Sequence, residues 1–133
     1  MTYYWDMDGV LADFHTNYTD RALAFSYDYI ANLPVFAENV ATLNAMIAAG
    51  VKCYILTKAA NEDAKRGKID WLKKNVPALT PEQFICIVGY GKKVDFIREE
   101  GILIDDDERN TKQWVKGGHA AILLAAKGEA VHP

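Results

Sequence analysis

The run Asp6-Met7-Asp8-Gly9-Val10-Leu11-Ala12-Asp13-Phe14 stands directly after Tyr3-Tyr4-Trp5. The three aromatics read as a first buried strand. Side chains alternate along a strand, so carboxylates two positions apart at its end face the same way. Gly9 lets the chain turn sharply and brings backbone close to whatever those carboxylates hold. Alone, Asp-x-Asp-Gly is an ordinary acidic turn, but three later features keep it company. Thr57 ends an apolar run, Lys68 follows, and Asp105-Asp106 end another apolar run.

Leu11, Phe14, Tyr18, Ala22 and Phe25 recur at helical spacing and predict a helix leaving the first motif. Tyr27, Tyr29, Ile30 and Leu33 then run irregularly to Pro34, either as packing residues or as a small lid. Phe36, Val40, Leu43 and Ile47 form an apolar stripe that Gly50 stops. Residues 51–56 are almost continuously apolar, as a parallel strand covered on both faces requires, and Thr57 closes them. Residues 61–76 are helical in their later part. Gly67 is costly inside a helix, so the regular turns are expected to begin near it, with Lys68 in the first.

Pro77 and Pro81 precede a third strand over 84–88, and a short helix is expected over 94–97. A fourth strand over 101–104 leads to Asp107, the expected N-cap of a helix through Trp114 and Val115 that Gly117-Gly118 ends. A fifth strand covers 120–124, and the polar tail from Lys127 is expected to be loose. Strands alternating with helices predict an α/β, three-layer Rossmann-like fold around a parallel sheet of about five strands. Ligands of such sheets bind beyond the carboxyl ends of the strands. Asp6, Asp8, Thr57 and the Asp105-Asp106 pair all fall at ends of that kind.

The 133 residues suit a single domain, and 50% hydrophobic residues suffice for one core. A net charge of −3 offers no basis for a stable nucleic-acid partner or an anionic membrane surface. The start lacks the basic and apolar regions of a signal peptide, which leads to the expectation of a soluble, cytoplasmic protein without a membrane segment. Cys53 and Cys86 are expected to be free and buried in strands. His15, His119 and His132 have no ligand-type partners at metal spacing.

The ordered set of motifs resembles the haloacid dehalogenase-like (HAD) phosphohydrolase superfamily, and residues 6–14 and 102–106 look like its 5'(3')-deoxyribonucleotidase branch. The resemblance implies a Mg²⁺-dependent hydrolase of small phosphomonoesters that acts through an aspartyl-phosphate. Asp6 would be the nucleophile and Asp8 the general acid and base. Mg²⁺, a hard ion, would take Asp6, the backbone carbonyl of Asp8 and Asp106, with Asp105 behind them. Thr57 and the Lys58 N–H would hold phosphate oxygens. Lys68, in a Lys-x-x-Trp pattern, is the favoured phosphate-contacting lysine and Lys93 the alternative. Phe14 would belong to an aromatic wall beside the substrate.

The resemblance implies nucleoside 5'(3')-monophosphates as substrates. Only about twenty residues, roughly 14–34, stand where that branch has a larger helical cap. A sugar phosphate, or a non-catalytic phosphate-binding module, is therefore the alternative, as is a homodimer whose second subunit completes the pocket. Phospho-acceptor receiver domains also gather aspartates, Thr and Lys around Mg²⁺, but they carry the acceptor Asp on the third strand. Here that strand ends Ile87-Val88-Gly89, without an acid.

Overall fold

The computed structural model describes residues 1–14 and 24–124. Its strands are β1 (Thr2–Trp5), β2 (Lys52–Ala59), β3 (Phe84–Val88), β4 (Ile102–Asp105) and β5 (Ala121–Leu123). Its helices are α1 (Tyr27–Ala31), α2 (Ala37–Ala48), α3 (Glu62–Asn75) and α4 (Glu108–Lys116), with 3₁₀ turns at Pro81–Gln83 and Lys93–Phe96. All strand pairs are parallel, in the order β3-β2-β1-β4-β5, so the first strand lies at the centre.

Alternation along the strands sorts the core into two layers. Trp5, Cys53, Ile55 and Ile104 face one way and pack with Ile30 of α1, Leu43 of α2, and Trp71 and Leu72 of α3. Tyr4, Tyr54, Leu56, Ile85, Ile87 and Leu103 face the other way, toward Trp114 of α4. Two of the three buried indoles have a carbonyl to satisfy them: Trp71 Nε1 donates to Leu33 O at 2.9 Å and Trp114 Nε1 to Gly101 O at 3.2 Å, while Trp5 Nε1 has no hydrogen-bond partner among the described residues. The three-layer Rossmann-like α/β arrangement is thus present, with every strand pointing its carboxyl end to the same rim.

Several local expectations are corrected. α3 starts at Glu62, capped by the Asn61 side chain, which accepts from Ala64 N–H. Lys68 therefore lies in the helix interior and not in its first turn. Gly67 serves close approach: a Cβ there would stand 2.8 Å from Ile30 Cβ and 2.9 Å from Tyr27 O of α1. Thr57 does not close its strand, which runs on to Ala59. Residues 9–12 form a tight turn, with Gly9, Leu11 and Ala12 bonded locally, so no helix leaves the motif at Leu11. The expected helix over 94–97 is a 3₁₀ turn. Cys53 is buried, but Cys86, on an edge strand, is only partly so. Tyr18, Ala22, His15, His132 and the tail from Lys127 lie outside the described residues, as do residues 15–23 of the expected cap, and the run from Tyr27 that was expected to be irregular opens with the helix α1. Among the described residues no helix is long and apolar enough to cross a membrane.

Candidate active site

At the carboxyl rim a cleft of about 420 Å³ is lined by Asp6, Asp8, Thr57, Lys58, Lys93 and Asp106, with Asp107, Glu108 and Asn110 on its α4 side. β1 delivers Asp6, whose N–H still bonds Ile104 O at 2.9 Å and so belongs to the sheet. The chain then turns through Met7, fully buried, and Gly9, at φ +83°. That turn brings Asp8 into the same cleft as Asp6. β2 contributes Thr57 and Lys58, and the end of β4 contributes Asp105 and Asp106.

Two buried lysines divide the acids between them. Lys93 Nζ donates to Asp6 Oδ1 and to Asp105 Oδ2, both at 2.8 Å. Lys68 Nζ donates to Asp8 Oδ2 at 2.8 Å and to Thr57 Oγ1 at 2.7 Å. The lysines are only 1% and 2% exposed for Lys68 and Lys93, so neither is a solvated surface charge. They reach the site from opposite faces of the sheet, Lys68 from α3 and Lys93 from the 3₁₀ turn after β3. Both candidate lysines thus reach the rim, Lys93 among the residues that line the cleft and Lys68 behind Asp8 and Thr57.

The electrostatics follow from burial. Desolvation pushes the Asp6 carboxyl well above its ordinary pKa; Lys93 pulls it back, and the Asp105 charge adds to the rise. Burial works to lower the Lys93 ammonium, yet Asp6 and Asp105 outweigh it, and its pKa stands above the ordinary value. Lys68 spends one hydrogen on Thr57 as acceptor, so the Thr57 hydroxyl keeps its own proton to donate. Asp8 Oδ1 is buried and has no hydrogen-bond partner among the described residues. A buried acceptor in that condition calls for a hydrogen-bond donor, which a ligand can supply.

Asp6, Asp105 and Asp106 bring carboxylate oxygens within 4.8 Å of one another. The three differ in how much they have left to offer. Asp105 Oδ1 accepts from Asp107 N–H at 2.9 Å, and its Oδ2 accepts from both Lys93 and Asn110 at 2.8 and 3.1 Å. Fully buried and committed at both oxygens, Asp105 positions Lys93. Asp106 lies against Gly9, where a Cβ would come within 2.2 Å of its Oδ2. A glycine at this turn is what allows the carboxylate to reach the cleft.

Phe14 is not among the residues that line the cleft. It stacks on Phe25 with centroids 6.1 Å apart, meets Tyr29 edge-on at 5.9 Å, and accepts the Tyr29 hydroxyl on its carbonyl at 2.8 Å. Asn110, Asp107 and Glu108 were missed from sequence. Once Asp107 is taken as an N-cap, residues in the first turn of its helix must lie near that same rim, and this was the available signal. His119 bonds Glu100 and sits beside Trp114, away from the cleft. Neither a protein-family model nor a curated protein sequence matches this chain.

Proposed function

We propose that this cleft hydrolyses small phosphate monoesters through a phosphoryl group carried on Asp6. The observation that carries the reading is the double lysine arrangement. One cation holds Asp6 and leaves it on the cleft wall; a second holds Asp8 and Thr57 and leaves Asp8 Oδ1 without a partner among the described residues. Asp6 attacks phosphorus, the leaving oxygen takes a proton from Asp8, and Asp8 then draws a proton from the water that cleaves the acyl phosphate. Thr57 donates its hydroxyl proton to a phosphoryl oxygen, and Lys58 adds positive charge at the rim. Lys68 and Lys93 offset the negative charge that builds on the transferring group, where one well-placed donor is worth about 10²–10³ in rate.

The donor set suits Mg²⁺: hard oxygens, a desolvated Asp6 and a glycine cradle for Asp106. Asp6 and Asp106 would hold the ion, together with the expected backbone carbonyl of Asp8. When bound, it neutralises the repulsion between carboxylate and phosphate. The resemblance of residues 6–14 and 102–106 to the deoxyribonucleotidase branch of the HAD superfamily puts nucleoside monophosphates first among substrates, with sugar phosphates second.

The test is release of phosphate from a panel of both classes, with Mg²⁺ and with chelator. Asp6→Asn is expected to abolish turnover while circular dichroism stays unchanged. A folded Asp6→Asn protein with near-normal turnover would refute the nucleophile.

A further inference from the structure

β3 closes one side of the sheet, and among the described residues no strand pairs with its outer edge. Gly89 N–H donates to Ala59 O at 2.9 Å, toward β2. Backbone groups of successive strand residues point to opposite sides, so Ile85 and Ile87 bond inward, while Cys86 and Val88 turn their N–H and C=O outward. Phe84 also turns its C=O outward, its N–H being given to Pro81 O. The strand reads Phe-Ile-Cys-Ile-Val, with no charge and no proline to blunt the edge. The opposite edge, β5, has only 3 residues.

The flank of this edge carries charge in a sense that suits self-pairing. Cys86 packs on the α3 side of the sheet, against the cluster that holds Ala64, Trp71 and Leu72 of that helix. Further along the helix, Ile69 and Lys73 share an apolar groove of about 230 Å³ with Phe84. Exposed Glu62 therefore stands toward the carboxyl end of β3 and exposed Lys73 toward its amino end. A two-fold axis normal to the sheet at Cys86 sets β3 antiparallel to its copy and keeps both α3 helices on one face. Glu62 of each copy then comes beside Lys73 of the other. Phe84 comes opposite Val88, whose side chain is 38% exposed and meets the mouth of the groove.

We propose that two copies of this chain associate through β3, Cys86 against Cys86, and join their sheets into one. The Cys86 and Val88 N–H groups then donate to the Cys86 and Phe84 carbonyls of the copy. The two clefts open at opposite ends of the joined sheet, so the pairing does not depend on what the clefts do.

Sedimentation velocity on the full chain, with amide exchange followed by NMR, tests the proposal. A species of twice 14.9 kDa is expected, in which the Cys86 and Val88 amides exchange far more slowly than in dilute monomer. Lys73→Glu is expected to weaken association about tenfold, since it sets acid against acid twice over, and adding Glu62→Lys should recover it. Copper-phenanthroline oxidation should link the copies through Cys86 and fail in Cys86→Ser. A monomer persisting at about 100 μM, well above where a strand-paired dimer of ordinary affinity forms, overturns the proposal. So does a dimer whose Cys86 amide exchanges at the monomer rate, or one that the doubly reversed pair fails to restore.

Discussion

Replacing Lys93 by Met removes one positive charge and little volume, and so isolates the electrostatic part of its role. The ammonium is 2% exposed and lies 2.8 Å from both Asp6 and Asp105. Without it two buried carboxylates face each other with no cation between them. Breaking a buried pair by deleting one partner costs about 3–5 kcal/mol, a large share of the roughly 5–15 kcal/mol that holds a domain together. Protonation of Asp6, already favoured by burial, limits the loss. A raised carboxyl binds protons more tightly in the folded state than in the unfolded one, so stability contributed by this site falls as pH rises. The destabilisation of Lys93→Met should therefore be greatest near pH 7 and shrink toward pH 5. Adding Asp105→Asn removes one of the two stranded charges and should recover a substantial part of the loss. Urea denaturation followed by far-UV circular dichroism, without metal and with an unchanged m value, measures all three proteins. A loss below about 1 kcal/mol in the single variant, where a broken buried pair should cost several, would refute the buried-pair reasoning. A double variant no more stable than the single would refute it too.

Three further outcomes are expected. Gly67→Ala should destabilise by about 1–3 kcal/mol in thermal unfolding, despite the gain in helix propensity, because the new methyl meets Ile30 and Tyr27 of α1. Gly9→Ala should cost about 1–2 kcal/mol for its positive φ, and calorimetry should show Mg²⁺ binding weakened as Asp106 is displaced. Glu99, whose pKa is held low by bonds from Lys52 and then Tyr54, stabilises the fold above its ordinary value of 4.5. That stability is lost as pH falls through its lowered folded value, so Glu99→Gln should flatten the acid limb of a stability profile measured by urea titration.

The alternation of strands and helices, the three layers and the shared rim of Asp6, Asp8, Thr57 and Asp105-Asp106 were legible because they rest on periodicity and on turn chemistry, whereas the strand order rests on contacts between distant segments. Those signals are local. The role of Gly67 was not legible, since propensity speaks for one helix and the reason for this glycine is a second helix pressed against it. The two lysines show the same limit. Sharing a helix face with Trp71 and Leu72 marked Lys68 as inward-pointing. Lys93 sits in a 3₁₀ turn without periodicity, beside an equally basic Lys92, and only the fold distinguishes the buried one from the exposed one. Asp105 and Asp106 could not be ordered for a related reason: the bonds from Lys93, Asn110 and Asp107 N–H that occupy Asp105 come from three separate segments.

The central position of β1 has a consequence for how the chain is made. β1 leaves the ribosome before the other described strands, yet its two neighbours are β2, some fifty residues on, and β4, about a hundred residues on. The charge pairs are as distant in sequence, 60 positions from Asp8 to Lys68 and 87 from Asp6 to Lys93. Contacts of such separation require large loops to close before they return any energy, and they form late. A nascent chain that stops short of Lys93 therefore holds Asp6 without its cation and Tyr3-Tyr4-Trp5 with one side of the ladder open. Until β4 arrives, the most aromatic stretch of the molecule depends on other agents to keep it from pairing elsewhere.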